Sequence, residues 1–108
     1  MAVTVWHNPR CSKSRAALAY LEERGITPDV RLYLKDAPDA ADLRDMLAAL
    51  GLPAAALLRK DGEALKGQSD DEIIAAMVAE PALIERPVIR RGDKAVIGRP
   101  TEAIDGLL

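Results

Sequence analysis

The segment His7-Asn8-Pro9-Arg10-Cys11-Ser12-Lys13-Ser14-Arg15 holds the only cysteine and the only histidine of this 108-residue chain. Residues 3–6, just before it, are β-branched or aromatic, which predicts a first strand. Apolar residues after it recur at helical spacing as far as Gly25, which predicts a helix that ends at this glycine. Cys11 is therefore expected on a strand-to-helix turn, at the N-terminus of the first helix.

The surroundings of Cys11 are typical of a reactive thiolate. Unpaired backbone N–H groups and the positive end of the helix dipole favour the charged form of a thiol at this place. Three cations and two hydroxyl groups lie nearby in the sequence: Arg10, Lys13, Arg15, Ser12 and Ser14. Such a setting lowers a cysteine pKa from about 8.5 to somewhere between roughly 3.5 and 7.5. The sequence thus predicts a nucleophilic cysteine.

Two other roles for Cys11 fit its neighbours less well. A lone cysteine is often a small buried apolar residue, but a core cysteine is not usually surrounded by polar and charged side chains. A metal site containing His7 and Cys11 would need two more ligands, and the chain has no second Cys or His to supply them. We therefore expect no bound metal.

The composition is that of one small domain, residues 1–108. A net charge of −2 and a pI near 5.4 argue against bulk attraction to nucleic acid or to an anionic membrane. No apolar run approaches the roughly 18 residues of a membrane span, and the N-terminus lacks the pattern of a signal peptide. A single cysteine cannot form an internal disulfide. Together these features predict a cytoplasmic monomer in a reducing compartment, with neither a nucleic acid nor a membrane as partner.

Strands are predicted early and late in the chain. Alternating apolar positions predict a second strand over residues 30–34, which completes a β-α-β unit with a right-handed crossover if the strands are parallel. Two short runs, residues 88–90 and 95–97, flank a Gly-Asp turn and predict a β-hairpin. A last helix is expected over residues 102–108, capped by Thr101.

The residues between the second strand and the hairpin are predicted to be mainly helical. The expected elements are a helix closed by Gly51, a short helix opened by Pro53, a polar loop over residues 61–68, and a helix capped by Ser69 that ends near Pro81.

The predicted order of elements indicates the fold class. Without the helical segment at about residues 36–85, the order is β-α-β followed by β-β-α, which is the topology of the thioredoxin fold. We therefore predict an α/β protein of thioredoxin-like fold, with a helical insertion between strands 2 and 3. In that fold a cis-proline opens the third strand opposite the active-site loop. Pro87 holds this place, so we expect a cis Arg86–Pro87 bond.

The sequence resembles, nearly from end to end, the arsenate reductase-like (ArsC/Spx) branch of the thioredoxin superfamily. Five blocks in the same order carry the resemblance: residues 7–15, Leu32-Tyr33-Leu34, Ala56-Leu57-Leu58-Arg59-Lys60, Glu85-Arg86-Pro87-Val88-Ile89 and Gly98-Arg99-Pro100. In that family the cysteine attacks arsenate while three arginines bind the arsenate oxygens.

The resemblance implies a role for each matched residue. Cys11 is the expected nucleophile, and His7 and Ser14 match positions that stabilise the thiolate. The expected oxyanion ligands are Arg59, Arg86 and Arg99. Their chemistry is suited to this role, because a guanidinium group matches the oxygens of a doubly charged oxyanion as a fork.

Two features depart from the family pattern. Ser14 stands in the place of the second cysteine of a C-x-x-C pair, so the oxidised sulfur must pass to an external thiol. The resemblance implies glutathione as co-substrate and glutaredoxin as partner for this pattern, with no bound cofactor. In addition, the loop over residues 61–68 is shorter than that expected for arsenate reductases. A shorter loop changes access to the thiol, so the sequence leaves the identity of the substrate open.

Two alternatives remain beside a glutathione- and glutaredoxin-coupled arsenate reductase. One is a transcriptional regulator like Spx that binds RNA polymerase, although Spx-like proteins commonly carry the C-x-x-C pair that is absent here. The other is a thiol reductase that acts on glutathione mixed disulfides, which the sequence does not separate from the arsenate reductase.

Overall fold

The computed structural model describes residues 2–108 and contains one four-stranded sheet with helices on both faces. The strands are β1 (Val3–Trp6), β2 (Asp29–Arg31), β3 (Val88–Arg91) and β4 (Lys94–Ile97). The α-helices are α1 (Ser12–Glu23), α2 (Ala40–Leu50) and α3 (Asp70–Ala79). Four 3₁₀ helices cover Ala54–Leu57, Lys60–Leu65, Pro81–Leu83 and Thr101–Leu107. This architecture confirms the predicted α/β, thioredoxin-like fold.

The sheet topology brings distant parts of the chain to one end of the sheet. The strand order is β2-β1-β3-β4, with β1 parallel to β2 and antiparallel to β3. Trp6 at the end of β1 lies opposite Val88 at the start of β3, and Val88 in turn lies opposite Ile97 at the end of β4. The residues that follow β1, precede β3 and follow β4 therefore meet at the same end.

Two cores lie on opposite faces of the sheet because neighbouring strand residues point to opposite sides. Trp6 and Val88 pack on one face with side chains from α2, α3 and the helical insertion. Val5 and Ile89 pack on the other face with Ala17 and Leu21 of α1 and with the C-terminal 3₁₀ helix. The second core fixes α1, and with it the loop that carries Cys11, against the sheet.

Several predicted boundaries are confirmed by local geometry. Gly51 ends α2 in the left-handed conformation, as predicted, while the reciprocal capping box of Asp39 with Asp42 at the start of this helix was not predicted. Ser69 caps α3 by accepting a hydrogen bond from the Glu72 N–H group at 3.2 Å. In the hairpin, Gly92 takes a positive φ of 64° in the two-residue turn.

The second strand differs from its prediction. It ends at Arg31, because the Leu32 carbonyl accepts hydrogen bonds from the N–H groups of Lys35 and Asp36 and the chain turns there. Leu32 and Leu34 are exposed, whereas Tyr33 is completely buried in the core beside Trp6. The alternation of apolar residues over 30–34 therefore reflects a turn beyond a short edge strand.

Two smaller predictions are also wrong. Most of residues 61–68, expected as a loop, lie in the 3₁₀ helix Lys60–Leu65. At the start of this helix the Gly62 N–H donates to the Arg59 carbonyl at 2.9 Å. Thr101 does not cap the last helix, because it is the first residue of that helix, and the residue at the N-cap, Pro100, makes no side-chain cap.

The peptide bond Arg86–Pro87 is cis, as expected, and so is Arg99–Pro100, which was not expected. The two prolines belong to neighbouring segments, since the Gly98 N–H donates to the Pro87 carbonyl at 2.9 Å. In the described residues 2–108, no helix is both long and apolar enough to cross a membrane.

Gly98 is expected to be indispensable for the packing between β4 and Pro87. A Cβ atom added at Gly98 would lie 2.8 Å from Ile89 Cδ1 and 2.9 Å from Pro87 Cγ. Because both neighbours are held in the core, Gly98→Ala should lower the free energy of unfolding by about 1–3 kcal/mol. Urea denaturation followed by circular dichroism measures this change.

The matched control is Gly67→Ala, because a Cβ atom at Gly67 meets nothing within 4 Å. The free energy of unfolding of this variant should equal that of the wild type or exceed it by up to about 1 kcal/mol. Equal stability of the two variants would contradict the close packing assigned to Gly98.

Candidate active site

Cys11 occupies the N-cap of α1, directly after the loop that follows β1. Its backbone is extended, with φ −93° and ψ 121°, and its N–H donates to the Asn8 carbonyl at 3.0 Å. Its own carbonyl accepts the Arg15 N–H at 3.0 Å, which begins the helix. The side chain is 9% exposed, so the sulfur lies just below the surface with access to the first helical N–H groups.

The thiol is held in a setting that favours its charged form. Burial acts to raise the pKa of Cys11, but the backbone N–H of Ser14, the Arg86 guanidinium and the backbone N–H of Lys13 all lower it. The net effect places the Cys11 pKa below that of an ordinary cysteine. The sequence-based expectation of a thiolate at a helix N-terminus therefore agrees with the environment of the sulfur.

Ser14 and His7 form a buried pair next to the thiol. The Ser14 Oγ lies 2.6 Å from His7 Nδ1 and accepts the Asn8 N–H at 3.0 Å. Burial, and secondarily the charge of Arg15, lower the pKa of His7, so its ring is neutral at pH 7. With Oγ accepting from Asn8, the Ser14 hydroxyl proton is free to bond to His7 Nδ1.

The side chains of this pair contact the backbone around the thiol and not the sulfur itself. Within the described residues, the side-chain hydrogen bonds of His7 and Ser14 join them to each other and to Asn8, which itself accepts the Cys11 N–H. Ser14 lowers the Cys11 pKa through its backbone N–H. The two side chains thus fix the loop and the first turn of α1 around the sulfur.

Two of the three expected arginines lie at the thiol. The Arg99 Nη2 donates to Cys11 Sγ at 3.6 Å, while the Arg99 Nε donates to the Arg86 carbonyl at 2.8 Å. The Arg86 guanidinium lies near enough to the sulfur to lower the Cys11 pKa, as a donor and by its charge. These contacts follow from the topology, because Arg86 precedes β3 and Arg99 follows β4 at the end of the sheet where β1 also ends.

Arg59 is brought near these residues by its backbone only. Its N–H donates to the Leu83 carbonyl at 2.8 Å, and the neighbouring Glu85 N–H donates to Leu57 at 2.7 Å. The Arg59 guanidinium instead forms an ion pair with Asp61 at 3.5 Å, with 29% of the side chain exposed. Arg59 therefore stands beside the segment that holds Arg86, with its charge paired to a residue of the helical insertion.

Glu85 and Tyr33 belong to the site although the sequence gave neither of them a role. The Glu85 carboxylate accepts the Arg86 N–H at 3.1 Å and pairs with Arg99 Nε at 3.4 Å, so it orients Arg99. Tyr33 is buried on the same side, and Arg86 and Cys11 both influence its pKa. Both residues lie in sequence blocks that carry the family resemblance, which was the one signal available for them.

A groove of about 480 Å³ adjoins the active-site loop. It is lined by His7, Asn8, Pro9, Arg10, Leu32, Leu34 and Lys35. Its charged lining residues, Arg10 and Lys35, are both cations, and the exposed leucines of the turn after β2 give it an apolar wall. Four of the lining residues belong to the loop before Cys11, so a molecule bound there lies beside the thiol loop.

The arrangement has the chemistry of a nucleophilic thiol next to an anion-binding site. A thiolate, helix N–H groups and two guanidinium groups converge on one point, and together they match a tetrahedral oxyanion with several oxygens. Within residues 2–108 no group of three or more His, Cys, Asp or Glu side chains is arranged to hold a metal ion.

Comparison with known proteins agrees with this geometry. The model of the ArsC family matches residues 6–107. An arsenate reductase of Neisseria meningitidis is 41% identical over 114 residues, covering 98% of this chain and 97% of the relative. The uncharacterized protein YfgD of Escherichia coli is 44% identical over 110 residues, covering 94% and 92%. A solved arsenate reductase from Vibrio cholerae superposes with a TM-score of 0.92 at 40% identity, covering 100% and 98%.

The environment of the sulfur predicts how its alkylation depends on pH. The rate of Cys11 modification by iodoacetamide should rise with pH to a plateau, with a midpoint below about 8.5, the value of a free cysteine. Arg86→Gln should raise the midpoint by about one pH unit, since it removes a cation that stabilises the thiolate.

The control is Arg44→Gln, which removes a cation that forms an ion pair with the exposed Asp71 on α3. Its midpoint should equal that of the wild type. A wild-type midpoint at or above that of a free cysteine would show that Cys11 is only a structural residue.

Proposed function

Since the chain belongs to the ArsC family, we propose that it is an oxidoreductase that reduces arsenate to arsenite with Cys11 as its nucleophile. The observation that carries this proposal is the placement of the Arg99 guanidinium 3.6 Å from the Cys11 sulfur, with Arg86 at the same thiol. A buried thiol with two guanidinium groups is suited to an anion that is both bound and attacked at one place.

The arginines bind the substrate in this proposal. Arsenate docks at the N-terminus of α1, where its oxygens receive hydrogen bonds from Arg86, Arg99 and the first helical N–H groups. Arg59 joins them by exchanging its ion pair with Asp61 for one with the anion, which its partly exposed side chain allows. Fixed donors around the oxygens also stabilise the charge that develops there during attack.

The first chemical step forms a bond between sulfur and arsenic. The Cys11 thiolate attacks arsenic, an As–S bond forms, and one arsenate oxygen takes up protons and leaves as water. His7 is neutral and bonded to Ser14, so it holds the loop in place while the arginines supply the positive charge. Ser14 serves the step through its backbone N–H and by fixing the turn.

The electrons come from two external thiols, because Cys11 is the only cysteine of the chain. Glutathione replaces a second oxygen of the bound arsenic, which leaves as water. A glutaredoxin thiol then attacks the glutathione sulfur, so that the As–S bond to glutathione breaks and its electron pair stays on arsenic. Arsenic(III) and a glutathione–glutaredoxin disulfide result. Water finally displaces Cys11 from arsenic and arsenite leaves.

The groove beside the loop supports an external thiol as reductant. Glutathione carries two carboxylates and one ammonium group, and the charged side chains along the groove are the cations Arg10 and Lys35. A tripeptide of this charge fits a groove of about 480 Å³ that is lined by the loop before Cys11. Proposals for glutathione and for a cytoplasmic, reducing location are therefore consistent with each other.

The reaction predicts a strict dependence on both Cys11 and added thiol. Purified protein supplied with arsenate, glutathione and a competent glutaredoxin should form arsenite, and Cys11→Ser or omission of glutathione should abolish it. Arg99→Lys should reduce kcat/KM roughly 100-fold, because ammonium keeps the charge but loses the fork that reaches both sulfur and oxyanion. Arsenite is measured by chromatography coupled to elemental detection.

The control for the arginine variant is Arg44→Lys, since Arg44 lies on α2 with its side chain 56% exposed. It should retain full activity. Absence of arsenite from protein with an intact Cys11 thiolate would refute arsenate reduction. Reduction of glutathione mixed disulfides by the same protein would then identify it as a thiol reductase of that class.

A further inference from the structure

We propose that the hydroxyl group of Tyr33 positions Arg86. When an oxyanion occupies the thiol site, this hydroxyl oxygen accepts a hydrogen bond from the Arg86 Nε–H. The inference rests on the anion-binding role proposed for Arg86 and adds to it the residue that sets the direction of its guanidinium fork. Nothing in the sequence pattern assigns a role to this hydroxyl.

The first observation is a pair of buried polar atoms without partners. In the described chain, the buried side-chain nitrogen and oxygen atoms that lack any hydrogen bond are the Tyr33 hydroxyl oxygen and the Arg86 Nε. Buried polar groups are almost always hydrogen-bonded, so these two exceptions require an explanation. One of them is a donor and the other is able to accept.

The second observation is that the two residues share the same surroundings. Tyr33 is 0% exposed and packs in the core cluster that also contains Ile84 and Val88, the residues on either side of the Glu85–Pro87 segment. Burial is the main factor that raises the pKa of Tyr33, whereas the Arg86 guanidinium lowers it, both by its charge and as a nearby hydrogen-bond donor. Tyr33 is therefore a neutral phenol that faces the guanidinium of Arg86.

The position of Tyr33 also explains why this side chain enters the core. The chain turns after Arg31, which leaves Leu32 and Leu34 exposed and directs the ring between them inward. A phenylalanine at position 33 would fill the same apolar space without a hydroxyl group. The polar atom is thus an addition to a core position, and the polar group beside it is the anion-binding arginine.

A ligand-dependent bond accounts for the unpaired state. Hydrogen bonds within catalytic sites are often long or poorly aligned in the absence of substrate and tighten when it binds. An oxyanion that engages the terminal nitrogens of Arg86 fixes the plane of the guanidinium, and the Nε–H then donates to the Tyr33 hydroxyl oxygen. In this proposal the buried hydroxyl oxygen of Tyr33 acts on the anion through Arg86.

Tyr33→Phe tests the proposal, with phosphate as the oxyanion because phosphate cannot be reduced by thiols. The concentration of phosphate that half-protects Cys11 from iodoacetamide reports anion binding. In Tyr33→Phe this concentration should rise about fivefold, by loss of one hydrogen bond that orients a charged group. The unfolding midpoint in urea should stay the same or rise, since the variant removes an unpaired buried hydroxyl.

Two further variants separate positioning from packing. Tyr20→Phe removes the only other tyrosine hydroxyl, which is exposed and bonded to Asp105 at 2.6 Å, and should leave phosphate protection unchanged. In an Arg86→Lys background, which lacks the guanidinium Nε, Tyr33→Phe should have no additional effect.

These outcomes decide whether the Tyr33 hydroxyl positions Arg86 or the Tyr33 side chain only packs in the core. Unchanged phosphate protection in Tyr33→Phe, or loss of protection in parallel with loss of stability, would overturn the positioning role. An equal effect in the Arg86→Lys background would do the same. If phosphate fails to protect the wild type, the anion site itself is refuted, and the Tyr33 proposal is refuted with it, whereas protection without arsenite formation refutes only arsenate reduction.

Discussion

A thiolate just below the protein surface must be stabilised by donors that outweigh the cost of its burial, and the rest of this structure is arranged to meet that requirement. Burial raises the pKa of Cys11, and backbone N–H groups of α1 together with Arg86 lower it by more. Arg99 adds a direct contact at 3.6 Å. These donors reach one sulfur because β1 is antiparallel to β3, and β3 to β4, so that the residues flanking the three strands meet.

The active-site turn and the arginines are held by neutral or acidic neighbours. Ser14, His7 and the half-buried Asn8 form a network that fixes the turn, and the lowered pKa of His7 keeps this network uncharged. Glu85 pairs with Arg99 and accepts the Arg86 N–H, which restrains both sides of the anion site. The site thus separates charge, which the arginines supply, from rigidity, which the network supplies.

The sequence predicts those parts of the molecule that depend on local residues or on strand order. The first strand, the helix after Cys11, the helix end at Gly51, the cap at Ser69 and the hairpin at Gly92 follow from short patterns. The exposure of Leu32 and the burial of Tyr33 do not, because they depend on where the chain leaves the edge of the sheet. The Asp61 partner of Arg59 was likewise hidden, because a polar loop was expected where a 3₁₀ helix forms. Arg86 and Arg99 were identified by family resemblance, and the sheet topology gives the physical reason why they meet.

The central claim is that an arsenate anion binds between the Cys11 sulfur and the arginines. X-ray diffraction from crystals soaked in arsenate, measured at the arsenic absorption edge, locates arsenic directly by its anomalous scattering. The account predicts one strong peak within bonding or van der Waals distance of Cys11 Sγ, with Arg86 and Arg99 at its oxygens and Arg59 released from Asp61. An arsenic peak elsewhere on the molecule, with the thiol site empty and Arg59 still paired with Asp61, would contradict it.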